Sequence, residues 1–271
     1  MLEGRDILLG LSVIKKGDSR EILYTLRNPK ASFNSEEILE AKAKIKSDVM
    51  TYLDPDYPGL LKGRQMLSPP LVLYCKGNID LLRNLSYYNV IGIVGSRDST
   101  LYGENAVRTI VKGLPTNTVI VSGLAKGIDR VAHQSALDNG LKTIAVLGSG
   151  LDYVYPAENR ELYNRIINEG GLIISEYPGS LEPQQRNFGW RNRIIAGLSQ
   201  FILVAEAYER SGTSITVNYA LQVGAGVGCI PYPIEKNSLC NQLIKEGAYL
   251  VESAEDLIEF AEMKGDLWLT E

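Results

Sequence analysis

The feature that most constrains this chain is a regular alternation, from residue 71 onward, of short apolar runs and longer segments of helical period. The apolar runs are continuous and rich in valine, isoleucine and leucine, which is typical of strands buried on both faces of a parallel sheet. We predict strands at 71–74, 90–94, 118–121, 143–146, 172–175, 201–204, 227–230 and 249–251, and helices at 103–113, 128–139, 158–169 and 214–223. Strand–helix alternation at this spacing indicates right-handed βαβ units, and therefore an α/β fold with an extended Rossmann-like parallel sheet.

The first 65 residues have a different pattern. Two segments of helical period, 7–16 and 35–49, precede a stretch at 51–70 that holds four of the eleven prolines. Proline fits poorly inside helices, and the residue before it prefers extended geometry, so this stretch indicates a linker. We therefore expect a short N-terminal helical segment with its linker at 1–65 and a Rossmann-like domain at 66–271.

Charge and cysteine content limit the kinds of partner and site. Lys and Arg number 28 against 32 Asp and Glu, for a net charge of −4, so nucleic acid would have to be bound by a local cluster of cations.

Cys75, Cys229 and Cys240 are odd in number and form no CxxC pair, which favours small buried side chains over a disulfide or metal site. No apolar run approaches the roughly 18 residues of a membrane span, and the start does not resemble a signal peptide, so we expect a cytoplasmic protein.

Four loop regions carry the candidate binding residues. In a sheet of this kind, ligands bind beyond the carboxyl ends of the strands, where loops lead into helix N-termini. Glycine lets backbone amides approach an anion, cations neutralise phosphate, and an aromatic ring can stack on a base. We predict that one crevice is formed by Gly95, Ser96 and Arg97; by Ser122, Gly123, Lys126 and Gly127; by Gly148, Ser149 and Gly150; and by Phe188, Arg191, Asn192 and Arg193 together with Ser211, Gly212 and Thr213.

Several side chains near these loops also have a purely structural interpretation. His133, the single histidine, is more typical of a packed, hydrogen-bonded core residue than of a catalyst. Tyr153 and Tyr155 either stack on a base or pack in the core. We expect Glu206, at the end of a strand, to pair with an arginine such as Arg193.

The motifs VGSR, SGLAKGIDRVAH, AVLGSGLDYVYPAEN, LIISEYP, RNRIIAGLS and RSGTSIT occur in this order along the chain. Over residues 71 to 251 they resemble the bacterial DNA-processing protein A family (DprA, also called Smf). The resemblance implies an extended Rossmann-like fold and a recombination mediator that binds single-stranded DNA, protects incoming DNA during natural transformation and loads the RecA recombinase. It also implies a homodimer, with its contact at Leu243, Ile244 and Leu250.

The resemblance assigns particular roles within the four loops. Arg97 matches the family's phosphate-contacting arginine, and residues 191–193 match its RNR motif. Among the departures from the family pattern, this chain has Ala157 and Glu158 where many relatives carry a cation after the YP of the third loop. The departure removes an expected phosphate contact.

Two enzyme classes are alternatives. A phosphoribohydrolase acting on nucleoside monophosphates is expected to show a PGGxGT-type loop followed by a carboxylate, but ERSGTSITVNYAL has Asn218 and Tyr219 in that region. A dinucleotide-dependent oxidoreductase requires GxGxxG after its first strand, which is absent. We therefore expect a binding protein with no catalytic residues, cofactor or metal, and keep the nucleotide-binding enzyme as the alternative.

Overall fold

One mixed sheet organises the protein. The structure is a computed structural model that describes residues 2–28, 33–63, 66, 68–208, 212–234 and 238–260. The strands are β1 (Asp48–Thr51), β2 (Val72–Gly77), β3 (Asn89–Gly95), β4 (Thr118–Ser122), β5 (Lys142–Leu147), β6 (Leu172–Ser175), β7 (Phe201–Glu206), β8 (Gly226–Cys229) and β9 (Tyr249–Leu250). Their order across the sheet is β1-β2-β6-β5-β4-β3-β7-β8-β9. All neighbours from β6 to β9 are parallel, whereas β1–β2 and β2–β6 are antiparallel.

Helices cover both faces of this sheet. They are α1 (Gly4–Ile14), α2 (Ser19–Arg27), α3 (Ser35–Ala43), α4 (Gly59–Lys62), α5 (Asp80–Arg83), α6 (Leu101–Gly113), α7 (Ile128–Asp138), α8 (Arg160–Asn168), α9 (Gln185–Leu198), α10 (Thr213–Val223) and α11 (Leu239–Lys245). Side-chain caps start several of them: Asp18 accepts from two amides of α2, Asn34 from two of α3, and Thr100 from the Gly103 amide of α6.

The core explains why the strands are continuously apolar. In β4, Val119 and Val121 pack on the face covered by α9, while Ile120 packs on the opposite face with α6 and α7. All three side chains are fully buried. Successive residues of a strand point to opposite faces, so a strand buried on both sides requires apolar residues at every position. The eight predicted strands and the four predicted helices of this region are confirmed.

Two local predictions were wrong. The strand predicted at 71–74 is β2, which runs antiparallel to β6 instead of joining the parallel set. The helix predicted at 35–49 ends at Ala43, and the following residues form β1, whose Met50 and Thr51 are buried against the sheet. Pairing with β2 and burial of this segment outweigh the continued helical pattern, a common tertiary override of local propensity.

The N-terminal helices pack directly on the sheet domain. Leu8, Leu9 and Ile22 share a buried cluster with Leu71 and Tyr74. The predicted boundary between residues 65 and 66 lies at a junction that the structure describes only in part, so the division at this point stays a prediction.

Two further expectations concern the cysteines, predicted to be small buried side chains, and the absence of a membrane-spanning segment. Cys75, Cys229 and Cys240 are all free and buried, which confirms that they are small core side chains. Within the described ranges, no helix has the length and apolar character needed to cross a bilayer.

Candidate nucleic-acid interface

A cleft of about 550 Å³ lies beyond the carboxyl end of β3, where the sheet meets α9 and α10. It is lined by Gly95, Ser96 and Arg97 of the β3–α6 loop, by Ala125 and Asp129 after β4, by Phe188, Arg191 and Asn192 of α9, and by Gly212 and Thr213 at the start of α10. A small adjoining pocket shares Arg97, Phe188 and Arg191 and adds Gly123, Lys126, Tyr155 and Pro156. The first, second and fourth predicted loop regions therefore meet at one place, together with Tyr155 and Pro156 from the end of the third.

Arg97 and Phe188 form the exposed wall of the cleft. The Arg97 guanidinium carbon lies 5.5 Å from the centroid of the Phe188 ring, a cation–π distance. Phe188 stacks in turn on Tyr155, with ring centroids 5.3 Å apart and planes inclined by 26°. Tyr155 is 51% exposed, so the pair offers an accessible aromatic surface beside a cation. Of the two interpretations of Tyr155, the geometry favours stacking at the surface.

Arg191 places a fixed positive charge at the floor of the cleft. Its side chain is buried, and Nη1 donates to the carbonyl oxygens of Gly123, at 2.6 Å, and of Val146. Burial lowers the pKa of Arg191 to about 10, against a smaller raising effect of the Asp129 carboxylate. A pKa of about 10 is well above neutrality, so Arg191 stays charged at physiological pH.

Two backbone amides of the β4–α7 loop donate hydrogen bonds to a carboxylate of the protein itself, that of Asp129. Asp129 accepts hydrogen bonds from the backbone amides of Gly123 (3.2 Å) and Ala125 (3.4 Å). Burial raises the Asp129 pKa, while the charge of Arg191 opposes that shift. The Gly123 amide is therefore already paired within the protein, and a role of Gly123 in DNA binding stays a prediction. Asp129 holds the loop in shape.

Glycine is required in this loop region for close packing. A Cβ on Gly123 would lie 2.4 Å from the Arg191 guanidinium. Gly127 has φ = +68°, and a Cβ there would lie 2.3 Å from the carbonyl oxygen of Ser96, which accepts from the Ile128 amide. A larger residue at Gly127 would push the first two loops apart, and one at Gly123 would displace Arg191.

The third loop does not form the predicted anion nest. The Gly150 amide donates to the Leu181 carbonyl at 2.8 Å, and the buried Ser149 hydroxyl faces the Tyr153 carbonyl at 3.4 Å. Gly148 packs against the Phe188 ring, and Ser122 of the second loop is buried and donates to the Ile93 carbonyl. These residues support the cleft from behind. The Gly150 amide and the hydroxyls of Ser122 and Ser149 are hydrogen-bonded inside the protein.

Arg193 does not reach the cleft, which corrects its predicted place there. It is buried on the other side of α9, where Nη2 donates to Glu176 at 2.5 Å and Nε to the Ser68 carbonyl at 2.9 Å. The expected pairing of Arg193 with Glu206 is also wrong. Glu206 accepts from the Thr100 amide and hydroxyl, and so fixes the start of α6.

Lys126 is at the rim of the adjoining pocket and is ion-paired. Its ammonium group lies 2.9 Å from the carboxylate of Glu158, and both side chains are more than half exposed. The residue that departs from the family pattern thus contacts a predicted DNA-binding cation.

His133 is a core side chain, as predicted. It is fully buried, and Nδ1 lies 2.7 Å from the Thr143 hydroxyl, which itself donates to the Ile120 carbonyl. The hydrogen-bond pattern therefore assigns the Nδ1–H tautomer of the neutral ring.

The remaining predicted residues have varied positions. Thr213 is buried at the first turn of α10, Gly212 is exposed before it, and Ser211 lies outside the described residues. Leu250 is 47% exposed on β9, whereas Leu243 and Ile244 of α11 are half-buried against the core.

Sequence reasoning missed several cleft residues on α9 and α10: Gln185, Gly189, Ile195, Ile215 and Thr216. Treating residues 185–192 as a helix and grouping the positions on one face would have identified part of this set. Positions 185, 188, 189 and 192 recur at the i, i+3, i+4, i+7 spacing that defines one face of a helix.

Comparison with known proteins identifies the family of this chain. The family model of DNA recombination-mediator protein A matches residues 48–262. The DNA processing protein DprA of Streptococcus pneumoniae is 44% identical over 208 residues, covering 76% of this chain and 71% of that protein. Protein Smf of Synechocystis is 39% identical over 246 residues, covering 90% of this chain but 61% of that protein.

Solved structures show the same fold. The crystal structure of DprA from Streptococcus pneumoniae superposes with a TM-score of 0.78 at 36% identity, over 93% of this chain and 97% of that one. DNA processing protein A from Helicobacter pylori, whose single-stranded DNA binding mode has been described structurally, gives 0.70 at 27% identity, over 80% of this chain and 97% of that one. From the matched span, the sequence identities and the shared fold, this chain belongs to the DNA recombination-mediator protein A family.

Proposed function

We propose that this protein is a recombination mediator that binds single-stranded DNA in the cleft without reading its sequence. The observation that carries the proposal is the meeting of Arg97, Lys126 and Arg191 with the stacked rings of Phe188 and Tyr155. Cations neutralise phosphate groups, and exposed aromatic faces stack on any base. The cleft therefore combines the two interactions that sequence-tolerant strand binding needs.

The local cluster of cations also explains how a protein with an acidic net charge binds DNA on the proposed function. Arg97 is exposed and has no ion pair among the described residues, and Arg191 keeps its charge in a buried position. A fixed charge at the floor of a narrow cleft acts more strongly than the same charge in open solvent, because the surrounding protein screens it less. Binding that depends on few phosphate contacts is expected to weaken with salt.

The proposal extends to partners. The mediator role implies that the bound strand is passed to a RecA-type recombinase in the cytoplasm, and that incoming DNA is protected during transformation. A homodimer is proposed through the surface that includes Leu250, which is exposed on the short strand β9. Sedimentation of the Leu250→Glu variant at matched concentration tests the dimer: a shift to the monomer mass supports it, and an unchanged mass contradicts it.

The cleft is proposed to bind and not to catalyse. Its carboxylate, Asp129, is held by two backbone amides and by the field of Arg191. His133 is enclosed in the core and bonded to Thr143. Neither group is free to act on a nucleotide as general acid or base. A nucleotide-hydrolysis assay on the purified protein tests this part, and turnover lost on Asp129→Asn substitution would overturn it.

The central test is the double variant Arg97→Ala/Lys126→Ala. Loss of two phosphate contacts is expected to weaken oligo-dT binding by about tenfold and to reduce the slope of log affinity against log salt by about 1.4. Fluorescence anisotropy with labelled oligo-dT, mixed-sequence single strands and duplex measures both quantities.

The matched control is Lys44→Ala/Lys112→Ala, which removes two exposed lysines outside the cleft. It changes the net charge equally and should leave both the affinity and the salt slope near the parent values. Equal binding by the cleft variant and this control would overturn the assignment of the cleft.

A further inference from the structure

A second groove lies on the other side of α9, between that helix and the turn that joins α1 to α2. It encloses about 500 Å³ and is lined by Lys15, Lys16, Arg20, Arg186, Asn187 and Trp190, among others. Lys15, Lys16 and Arg20 come from the N-terminal segment, which none of the four predicted loop regions includes. The groove combines cations with an aromatic ring, as the cleft does.

The turn that carries the lysines is built into the fold. Lys16 has φ = +53° and Gly17 has φ = +76°, both in the left-handed region that side chains other than glycine rarely adopt. A Cβ on Gly17 would lie 2.4 Å from the Glu176 carbonyl, and the Ser19 hydroxyl donates to the Glu176 carboxylate. These contacts hold the turn against the loop after β6. Lys15 and Lys16 are therefore fixed at the rim of the groove.

The groove carries a net positive charge. Among the described residues, Lys15, Lys16 and Arg186 form no ion pair. Asp18 and Glu21 also line the groove, and Asp18 lies 3.7 Å from Arg20. Four cations against two carboxylates leave an excess of two positive charges on a protein whose total charge is −4.

A buried donor at the base of the groove lacks a partner. Asn187 is 5% exposed, and its Nδ2 has no hydrogen-bond partner among the described residues. An unpaired buried amide is costly unless an acceptor can approach it. Beside it, Trp190 has the Arg20 guanidinium carbon 4.8 Å from its ring centroid. The Arg193 guanidinium carbon lies 4.5 Å from the same centroid, so two guanidinium groups already stack on this ring. The groove thus offers a donor and cations for an anionic ligand.

The groove is continuous with the cleft at one residue. Arg186 lines both, because it stands in the first turn of α9, between the two faces of the helix. We propose that a single DNA strand bound in the cleft passes Arg186 and continues into this groove, where Lys15 and Lys16 contact its phosphates. The proposal rests on the proposed function of the cleft and adds a second binding segment supplied by the N-terminal helices.

The test varies the length of the ligand. The groove variant Lys15→Gln/Lys16→Asn keeps a residue that tolerates the left-handed conformation at position 16. Its control, Lys44→Gln/Lys46→Asn, removes the same charge from exposed positions of the same segment, outside the groove. Anisotropy is measured with oligo-dT of roughly 6 and roughly 25 nucleotides, since binding sites of single-strand binders span from about 4 to 16 nucleotides per domain.

The groove variant is expected to bind the long oligonucleotide about tenfold more weakly than its control, with a salt slope smaller by about 1.4, and to bind the short one equally well. If the parent bound both lengths and the groove variant matched its control with each, the groove proposal would fall while the cleft stood. If the parent bound neither length, both proposals would fall.

Discussion

Arg191 and Arg193 are two positions apart on α9, both are buried, and they have opposite roles because they lie on opposite faces of the helix. Arg191 faces the cleft, donates to two backbone carbonyls and sits near one carboxylate, Asp129, that two amides also hold. Arg193 faces the groove side and is in direct contact with the carboxylate of Glu176. The charge of Arg193 is neutralised inside the protein, whereas that of Arg191 remains partly available at the cleft.

The comparison separates two uses of a buried cation. A charge in direct contact with a buried opposite charge contributes to the folded structure and has little effect on a distant ligand. A charge held mainly by neutral carbonyl dipoles keeps its field, which attracts an anionic ligand. On the proposed function, the motif RNR therefore contains one residue for binding and one for folding.

Replacing Arg193 gives the largest expected effect. Arg193→Ala leaves the Glu176 carboxylate buried with only the Ser19 hydroxyl as a described hydrogen-bond partner. Removing one member of a buried pair typically costs about 3–5 kcal/mol of the free energy of unfolding. Urea denaturation measures this loss. Arg97→Ala is the control, because an exposed side chain should change the value by less than about 0.5 kcal/mol.

Oligo-dT binding by Arg193→Ala tests whether Arg191 and Arg193 have different roles. Once corrected for the unfolded fraction, Arg193→Ala should keep the parent affinity for a short oligo-dT. A variant that folds stably but loses that affinity would show that Arg193 acts on the DNA after all, and the division between the two faces of α9 would be wrong.

The sequence predicted the sheet because its signal is local and repeated. Runs such as 119–121 are apolar at every position, and the structure buries them on both faces of the sheet. The positions of the two arginines were not predicted in this way. Helical spacing alone places Arg191 on a face with Phe188 and Arg193 on a face with Trp190, but it does not tell which of the two faces meets the cleft.

Two further features of the site depend on contacts that no local pattern records. The Gly123 amide donates to the Asp129 carboxylate because the chain turns back at Gly127. The loop is therefore closed by a hydrogen bond of its own. Lys126 meets Glu158 across 32 positions of sequence. The sequence located the loops at the strand ends, but their side-chain partners are a property of the folded molecule.

The pH dependence of stability tests the buried, neutral state of His133, which lies in the field of Arg191. Burial, with a smaller effect from the charge of Arg191, lowers the pKa of His133 to about 3. The unfolded chain, with a histidine pKa of about 6.5, takes up a proton as the pH falls, while the folded protein does not. Stability contributed by the neutral ring is therefore present above about pH 6.5 and decreases from there toward pH 3. Between pH 7 and pH 5 this loss amounts to about 2 kcal/mol.

Comparison of the parent with His133→Gln isolates this contribution. The variant has no ionisable group at this position, so its free energy of unfolding should fall less over the same pH interval, by about 2 kcal/mol, whatever its absolute stability. Equal pH dependence in the two proteins would mean that His133 is accessible to protons in the folded state.

The exposed pair Lys126–Glu158 gives the smallest expected effect and completes the contrast with the buried pair Arg193–Glu176. Its members are 54% and 59% exposed, so the pair is screened and worth about 0.2–1 kcal/mol. Glu158→Gln should leave stability nearly unchanged and, by releasing Lys126 to phosphate, strengthen oligo-dT binding by about two- to fivefold. Glu161→Gln removes the same charge from an exposed neighbouring position of α8 and should change the affinity less. If both variants strengthened binding equally, only the net charge would matter, and the pairing of Lys126 with Glu158 would have no specific effect on the DNA.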